Sequence, residues 1–259
     1  MKVGVCFKIV PDFEELPAEE WKDVEHLDFT YVKKMYGCFD EAALEMALRM
    51  KDGAKAAGVD LETVAVAAGV NSGSVSEGLL RGLFAAGFDD VVILPPGEDF
   101  TPRATGTLLS EYFKEHPVDL ILTGRMVGPG DSGMVPYYLA KELDFEILPE
   151  AVSGTYEDGL SVVCKEGEYL KTYGNLKNCL CTVGDATFPN LRLFPLKARM
   201  EAKKRVFTQW EPTDLELEKE DVSFRTEETE ESHCNFLEGL ATEDIAQEIL
   251  NILKEEAKI

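Results

Sequence analysis

The chain has 259 residues, 45% of them hydrophobic, with 26 Lys+Arg against 49 Asp+Glu for a formal net charge of -23. That length buries a substantial core, as one large domain or as one domain with an appendage. The acidity excludes nucleic acid or an anionic membrane as the main partner, and no apolar run approaches the ~20 residues needed to span a bilayer.

In chain order, Val3–Val10 reads as an apolar first strand, not as a signal peptide. After a loop holding Pro11 and Pro17 comes a helix predicted to start at Asp40, with Asp40 as its cap and Phe39 and Leu44 as a hydrophobic staple. Leu61–Ala67 is the second strand, followed by a glycine/serine loop at 69–74. The next helix carries Leu79, Leu80, Leu83 and Phe84 on one face and stops near Gly87. Val91–Leu94 is a third strand, Pro102–Phe113 a helix and Val118–Leu122 a fourth strand. A second glycine-rich loop, Gly124–Gly133, then opens a helix over Met134–Leu143. This alternation predicts an α/β fold, a doubly wound and mostly parallel sheet covered on both faces.

The pattern changes near Pro149. Val152–Tyr156, Leu160–Cys164, Tyr169–Tyr173 and Cys179–Val183 read as hairpin strands that extend the same domain. Pro189 and Pro195 punctuate a loop, and Lys197, Arg199, Lys203, Lys204 and Arg205 form a basic island, either a docking surface or a solvated helix face. From Trp210 a carboxylate-rich arm, too poor in apolar residues to fold alone, leads to an amphipathic helix over Ala241–Lys258. The expected organisation is a nucleotide-binding domain over 1–205 and an arm with its helix over 206–259.

The six cysteines (Cys6, Cys38, Cys164, Cys179, Cys181 and Cys234) are dispersed. Cys179-x-Cys181 has the wrong spacing for a zinc knuckle and no second pair completes it, so reduced thiols in a cytoplasmic protein and no metal site are expected. His26 and His233 lie in acidic contexts and His116 precedes a proline. None stands in a nucleophile–base pattern, so no catalytic side chain is expected.

The loop Gly124-Arg125-Met126-Val127-Gly128-Pro129-Gly130-Asp131-Ser132-Gly133 follows a strand and opens a helix. Glycines let backbone N–H groups crowd a ligand, and the helix end adds partial positive charge, a combination that favours a phosphate. The loop lacks the Gly-Lys-Ser/Thr of a P-loop, and no Gly-x-Gly-x-x-Gly follows the first strand, which disfavours a Rossmann dehydrogenase. A nucleotide that is held and not hydrolysed fits best.

Several segments, taken in order, resemble the beta subunit of electron-transfer flavoprotein. Val3, Val5, Lys8, Val10, Pro11 and Asp12 match that family's opening strand. Gly37-Cys38-Phe39-Asp40-Glu41 stands where the family reads Asn-Pro-Phe-Asp-Glu. Gly124–Ser132 matches its nucleotide loop, and Pro189–Lys204 its late Pro-Arg-Tyr-x-x-Leu-Pro-x-x-Met-Lys-Ala-Lys-Lys segment. The resemblance implies the family's fold, like that of adenine nucleotide alpha hydrolases, and an electron carrier without acid/base chemistry of its own. It implies a heterodimer with an FAD-bearing alpha subunit, and AMP or a second FAD on this chain, the latter in bifurcating members that oxidise NADH.

Carried across by position, the nucleotide contacts are Cys6, Gly37, Cys38, Phe39, Asp40 and Ala68, with Gly124, Arg125, Val127, Gly128, Gly130, Asp131, Ser132, Gly133, Met134 and Val135. The recognition loop, about 189–204, would dock a dehydrogenase of the acyl-CoA type through Leu193, Phe194 and Pro195, with Phe194 as anchor. The loop departs from the family at Met126-Val127-Gly128-Pro129, and Gly37-Cys38 replaces Asn-Pro. The other reading is a stand-alone adenine-nucleotide module of the universal-stress-protein type, which would need neither hairpins nor recognition loop.

Overall fold

The computed structural model describes residues 1–17, 19, 29, 31–68, 74–95, 101–128, 130–213, 215, 236–237, 239 and 241–257. They fall into two units, Met1–Ser223 and Phe224–Ile259. The first unit runs β1 (Lys2–Phe7), β2 (Ile9–Pro11), β3 (Lys34–Tyr36), α1 (Cys38–Ala56), β4 (Glu62–Ala68), α2 (Ser74–Ala86), β5 (Asp90–Leu94), α3 (Pro102–Glu115) and β6 (Leu120–Gly124). It continues through α4 (Val135–Leu143), β7 (Glu146–Tyr156), β8 (Leu160–Glu166), β9 (Tyr169–Tyr173), β10 (Cys179–Val183), α5 (Leu196–Ala202) and β11 (Thr208–Gln209). The second unit holds α6 (Thr242–Ala257).

A nine-stranded sheet in the order β11-β5-β4-β1-β6-β10-β7-β8-β9 organises the first unit. Its strands are parallel from β11 to β7, and only β8 and β9 turn antiparallel. The doubly wound α/β sheet and its hairpin extension are therefore present. Both faces are apolar for a simple reason: side chains alternate along each strand. On one face Val3, Val5 and Phe7 pack with Leu44, Leu48 and Met50 of α1 and Leu80 and Leu83 of α2. On the other, Val64, Val66 and Ile121 meet Leu108, Tyr112 and Phe113 of α3 and Leu139 of α4.

Local chemistry sets the helix ends. Thr101 accepts the Ala104 N–H at 3.2 Å and Pro102 occupies the first turn of α3. Asp144 closes α4 in the left-handed region at φ 53°.

The differences from the sequence reading lie at irregular backbone. The run Val3–Val10 is broken at Lys8, and its second half pairs as β2 with β3, three residues too short to signal themselves. Strand β7 begins at Glu146, before Pro149, and tolerates the proline through a register shift against β10 and a positive φ at Glu150. Gly37, not Asp40, stands at the N-cap of α1, and the helix starts at Cys38. The proposed Phe39–Leu44 staple falls out of register accordingly. The first glycine/serine loop at 69–73, most of the acidic arm, Cys234, His26, His233 and Pro129 lie outside the described residues.

The cysteines Cys6, Cys38, Cys164, Cys179 and Cys181 are free thiols. Among the described residues no helix is long and apolar enough to cross a membrane, and no His/Cys/Asp/Glu group could hold a metal.

Candidate functional site

The chain builds β1, β4 and β5 outward in one direction, then crosses back to place β6 on the other side of β1. Connections therefore diverge at the β1/β6 boundary, and a crevice opens beyond the carboxyl ends of these two strands. Four predicted segments meet there: the end of β1, the start of α1, the end of β4 and the loop after β6.

Asp40 occupies the floor of the crevice. Its carboxylate accepts the Lys8 N–H at 2.9 Å and the Gly124 N–H at 3.0 Å, the first amides beyond β1 and at the end of β6. Asp40 is buried, so one side chain from α1 ties both strand ends together. Burial raises its pKa to about 7, against the two amides and the Lys8 charge, which all lower it. Lys8 is half-buried between Asp40 and Asp131. Desolvation lowers its pKa, and both carboxylates work against that shift. The Cys6 thiol is buried in the apolar layer, and burial, then Asp40, push its pKa well above the ordinary thiol range.

Two glycines permit the close approach. A Cβ on Gly37 would sit 2.5 Å from the Val127 side chain, and one on Gly124 would sit 2.8 Å from the Asp40 nitrogen and 3.0 Å from the Phe39 carbonyl carbon. Gly37, Phe39 and Asp40 are thereby brought against Gly124 and Val127, while the Arg125 guanidinium lies 4.3 Å over the Phe39 ring. Arg125 donates its N–H to Val183 at 2.9 Å and pairs with Glu150 at 3.3 Å.

Beyond Arg125 the loop turns through Gly130 (φ 100°), Asp131 (φ 37°) and Gly133 (φ 62°). Gly128 lies beside Asp131. Ser132 Oγ accepts the Met134 N–H at 3.4 Å, and α4 then begins at Val135 with no side-chain cap. Tyr137 and Tyr138 N–H donate to the Met134 carbonyl and Pro136 has no N–H, so the Val135 amide and the helix dipole are what this end offers an anion. Ala68 ends β4 on the same rim, beside Phe7 and Ala67. Cys38 is exposed and lines a cleft of about 270 Å³ with Phe39, Ala42, Gly184, Asp185, Ala186 and Pro189.

Thr123 Oγ1 and Arg125 Nε are buried without a hydrogen-bond partner among the described residues. Orphaned polar atoms cost free energy unless a further group satisfies them. They flank Gly124 at the end of β6, Thr123 before it and Arg125 after it, so the residues present fit a nucleotide. Thr123 was missed from the sequence because it reads as an ordinary buried strand residue. Lys8 was legible only as part of the opening motif.

The segment predicted as the recognition loop packs against α1 and α2, and its Pro189 shares the cleft of Cys38 and Phe39. Leu193 is 99% exposed, whereas Phe194 is half-buried, within about 3.5 Å of where a Cβ on Gly82 would stand. Leu196 and Met200 continue the exposed apolar ridge on α5, and Pro195 is exposed at its N-cap.

The electron transfer flavoprotein domain model matches residues 36–215. The beta subunit of Bacillus subtilis electron transfer flavoprotein is 28% identical over 235 residues, covering 85% of this chain and 86% of that protein. The beta subunit of Bradyrhizobium diazoefficiens is 26% identical over 260 residues, the full length of both. Escherichia coli YgcR, an electron transfer flavoprotein subunit by name, is 27% identical over 149 residues, so the match spans 55% of each chain. The fold, the crevice and these likenesses agree, and the chain belongs to the electron-transfer flavoprotein family, in its beta-subunit branch.

Proposed function

We propose that this chain binds an adenine nucleotide, AMP or FAD, in the β1/β6 crevice and works as the beta subunit of a heterodimer whose alpha subunit carries FAD. The observation that supports this reading most is the pair of orphaned polar atoms, Thr123 Oγ1 and Arg125 Nε, on either side of Gly124 at the end of β6. Gly37 and Gly124 let α1, β6 and Val127 close into the floor, Asp40 ties that floor together, and the Val135 amide at the start of α4 is the donor offered to the phosphate. FAD, when bound, supplies the electron storage, and the chain contributes position and electrostatics.

Electrons reach the complex from a dehydrogenase such as an acyl-CoA dehydrogenase. The docking anchor is Leu193 in place of Phe194, because the former projects fully and the latter packs inward beside Gly82. Lys197, Arg199, Lys203 and Lys204 rim the ridge with positive charge, which suits an apolar pocket edged by carboxylates.

Co-expression with an alpha-type subunit tests the reading. A yellow heterodimer with one flavin and one AMP, or with two flavins, supports it, and two flavins permit bifurcation. A colourless homodimer that binds ATP without the alpha subunit contradicts it. Leu193→Ala should weaken docking of the dehydrogenase by about 2 kcal/mol, roughly thirtyfold in KM, with nucleotide content unchanged. A wild-type KM would remove Leu193 from the interface.

A further inference from the structure

The exposed Leu193 sits on a loop that is fastened on both sides with unusual density. On the α1 side, Glu41 accepts the Leu191 N–H at 3.0 Å. Glu45 accepts the Arg192 N–H at 3.0 Å, its Nε at 3.0 Å and its Nη2 at 3.1 Å. The same carboxylate accepts Arg49 Nε at 2.9 Å, and Asp52 takes Arg192 Nη1 at 2.6 Å. Glu45 is 1% exposed and makes four N–H contacts, the full capacity of a carboxylate. Arg49 also stacks 3.2 Å over Phe188, just before the loop.

On the α2 side, Arg81 donates to the carbonyls of Ala202, Lys203 and Arg205 at 3.3, 3.0 and 3.0 Å. These are the last carbonyls of α5 and the turn after it, so Arg81 serves as their cap. Glu77 braces Arg81 at 2.6 Å. Phe194 packs inward on Gly82 of the same helix. Leu193 therefore stands alone between two clamps, each anchored in a long helix of the main domain.

We infer that Arg192, held by Glu45 and Asp52, is a positioning residue that pre-orders the recognition loop and so sets the affinity of the complex for its dehydrogenase. The inference rests on the docking role of Leu193 given above. A loop ordered before encounter does not lose its backbone freedom on binding, which is where most of the gain in affinity from a rigid epitope arises. A bidentate guanidinium–carboxylate pair suits this task because it fixes direction as well as distance. The clamp grips the backbone at Leu191 and Arg192, next to the projecting side chain, so the direction of Leu193 is set within one residue. Arg192 and Glu45 make no contact with Lys8, Asp40 or Gly124, and because Glu41 of the same clamp directly follows Asp40, nucleotide content is measured beside KM.

The test compares Arg192→Gln, Arg192→Lys and Leu193→Ala in the nucleotide-loaded heterodimer, with a reduced acyl-CoA dehydrogenase as electron donor. Arg192→Gln should raise KM about tenfold with kcat and nucleotide content unchanged, and should speed amide hydrogen exchange at Leu191–Leu193 before any partner is added. Arg192→Lys, which keeps the charge but loses the fork, should recover part of the loss. Leu193→Ala should raise KM without changing the exchange. Wild-type KM and wild-type exchange in Arg192→Gln would overturn the inference while Leu193→Ala still reports on docking. Faster exchange in Arg192→Gln with a wild-type KM would overturn it too, leaving the clamp as a fastening without consequence for the partner. A wild-type KM in Leu193→Ala would instead refute the docking role on which the inference rests.

Discussion

Replacing Asp40 by alanine should destabilise the chain by about 3 kcal/mol or more, because the Lys8 and Gly124 amides lose their buried acceptor together. The two amides stand at the ends of different strands, one just beyond β1 and one closing β6, so the loss also frees the β1/β6 crevice to open. Asparagine tells more. It keeps the volume and one acceptor oxygen but cannot titrate. In the native protein the Asp40 pKa is raised to about 7, chiefly by burial, whereas in the unfolded chain it lies near the ordinary ~3.9. The folded state thus holds the proton more tightly. Stability from that proton is complete below the unfolded pKa and is lost as pH rises through about 7. Between pH ~5.5 and ~8.5 the native protein should lose about 2 kcal/mol relative to Asp40→Asn. Urea unfolding of both proteins across that range measures it. A pH-independent difference would show that Asp40 keeps its charge in the folded state.

Gly124→Ala carries the second large effect. The added methyl would stand 2.8 Å from the Asp40 nitrogen and 3.0 Å from the Phe39 carbonyl carbon, backbone atoms that cannot rotate away. Relief requires the first turn of α1 to move away from β6. Overpacking of this kind costs about 1–3 kcal/mol, and the shift falls on the residues proposed to cradle the nucleotide. Binding should weaken at least tenfold, about 1.4 kcal/mol, in isothermal titration with AMP or FAD. Gly78→Ala, where nothing lies within 4 Å of the new methyl, is the matched control and should bind normally. Equal affinity in the two variants would place the nucleotide away from the crevice.

The fold was legible wherever a periodic apolar pattern met a capping or turn residue. The alternation of β1, β4, β5 and β6 with α1 to α4 follows from buried runs such as Leu-Ile-Leu at 120–122 and from helical spacing such as Leu80, Leu83 and Phe84. The structure goes beyond the pattern at short or bent elements, where tertiary pairing and not composition decides: β2 with β3, and β7 across Pro149. Asp40 shows the same limit at the site. An aspartate beside the start of a helix reads as a cap, since local rules see only neighbours in sequence. Its partners here lie 32 and 84 residues away. Phe194 and Leu193 differ in exposure for an equivalent reason. The sequence shows two apolar residues between prolines, but only the packing against Gly82 decides which one turns inward. Glu45 and Arg192 carried no motif at all, and their pairing across 147 residues becomes visible only in three dimensions.

The most direct measurement is chromatography of the small molecules released by denaturing the purified heterodimer. One adenine nucleotide, AMP or FAD, should be recovered per beta chain in addition to the alpha-subunit flavin, and Gly124→Ala should lower that fraction while leaving the alpha-subunit flavin in place. Recovery of the alpha-subunit flavin alone from the unmodified complex, with no nucleotide assignable to this chain, would contradict the crevice as a nucleotide seat.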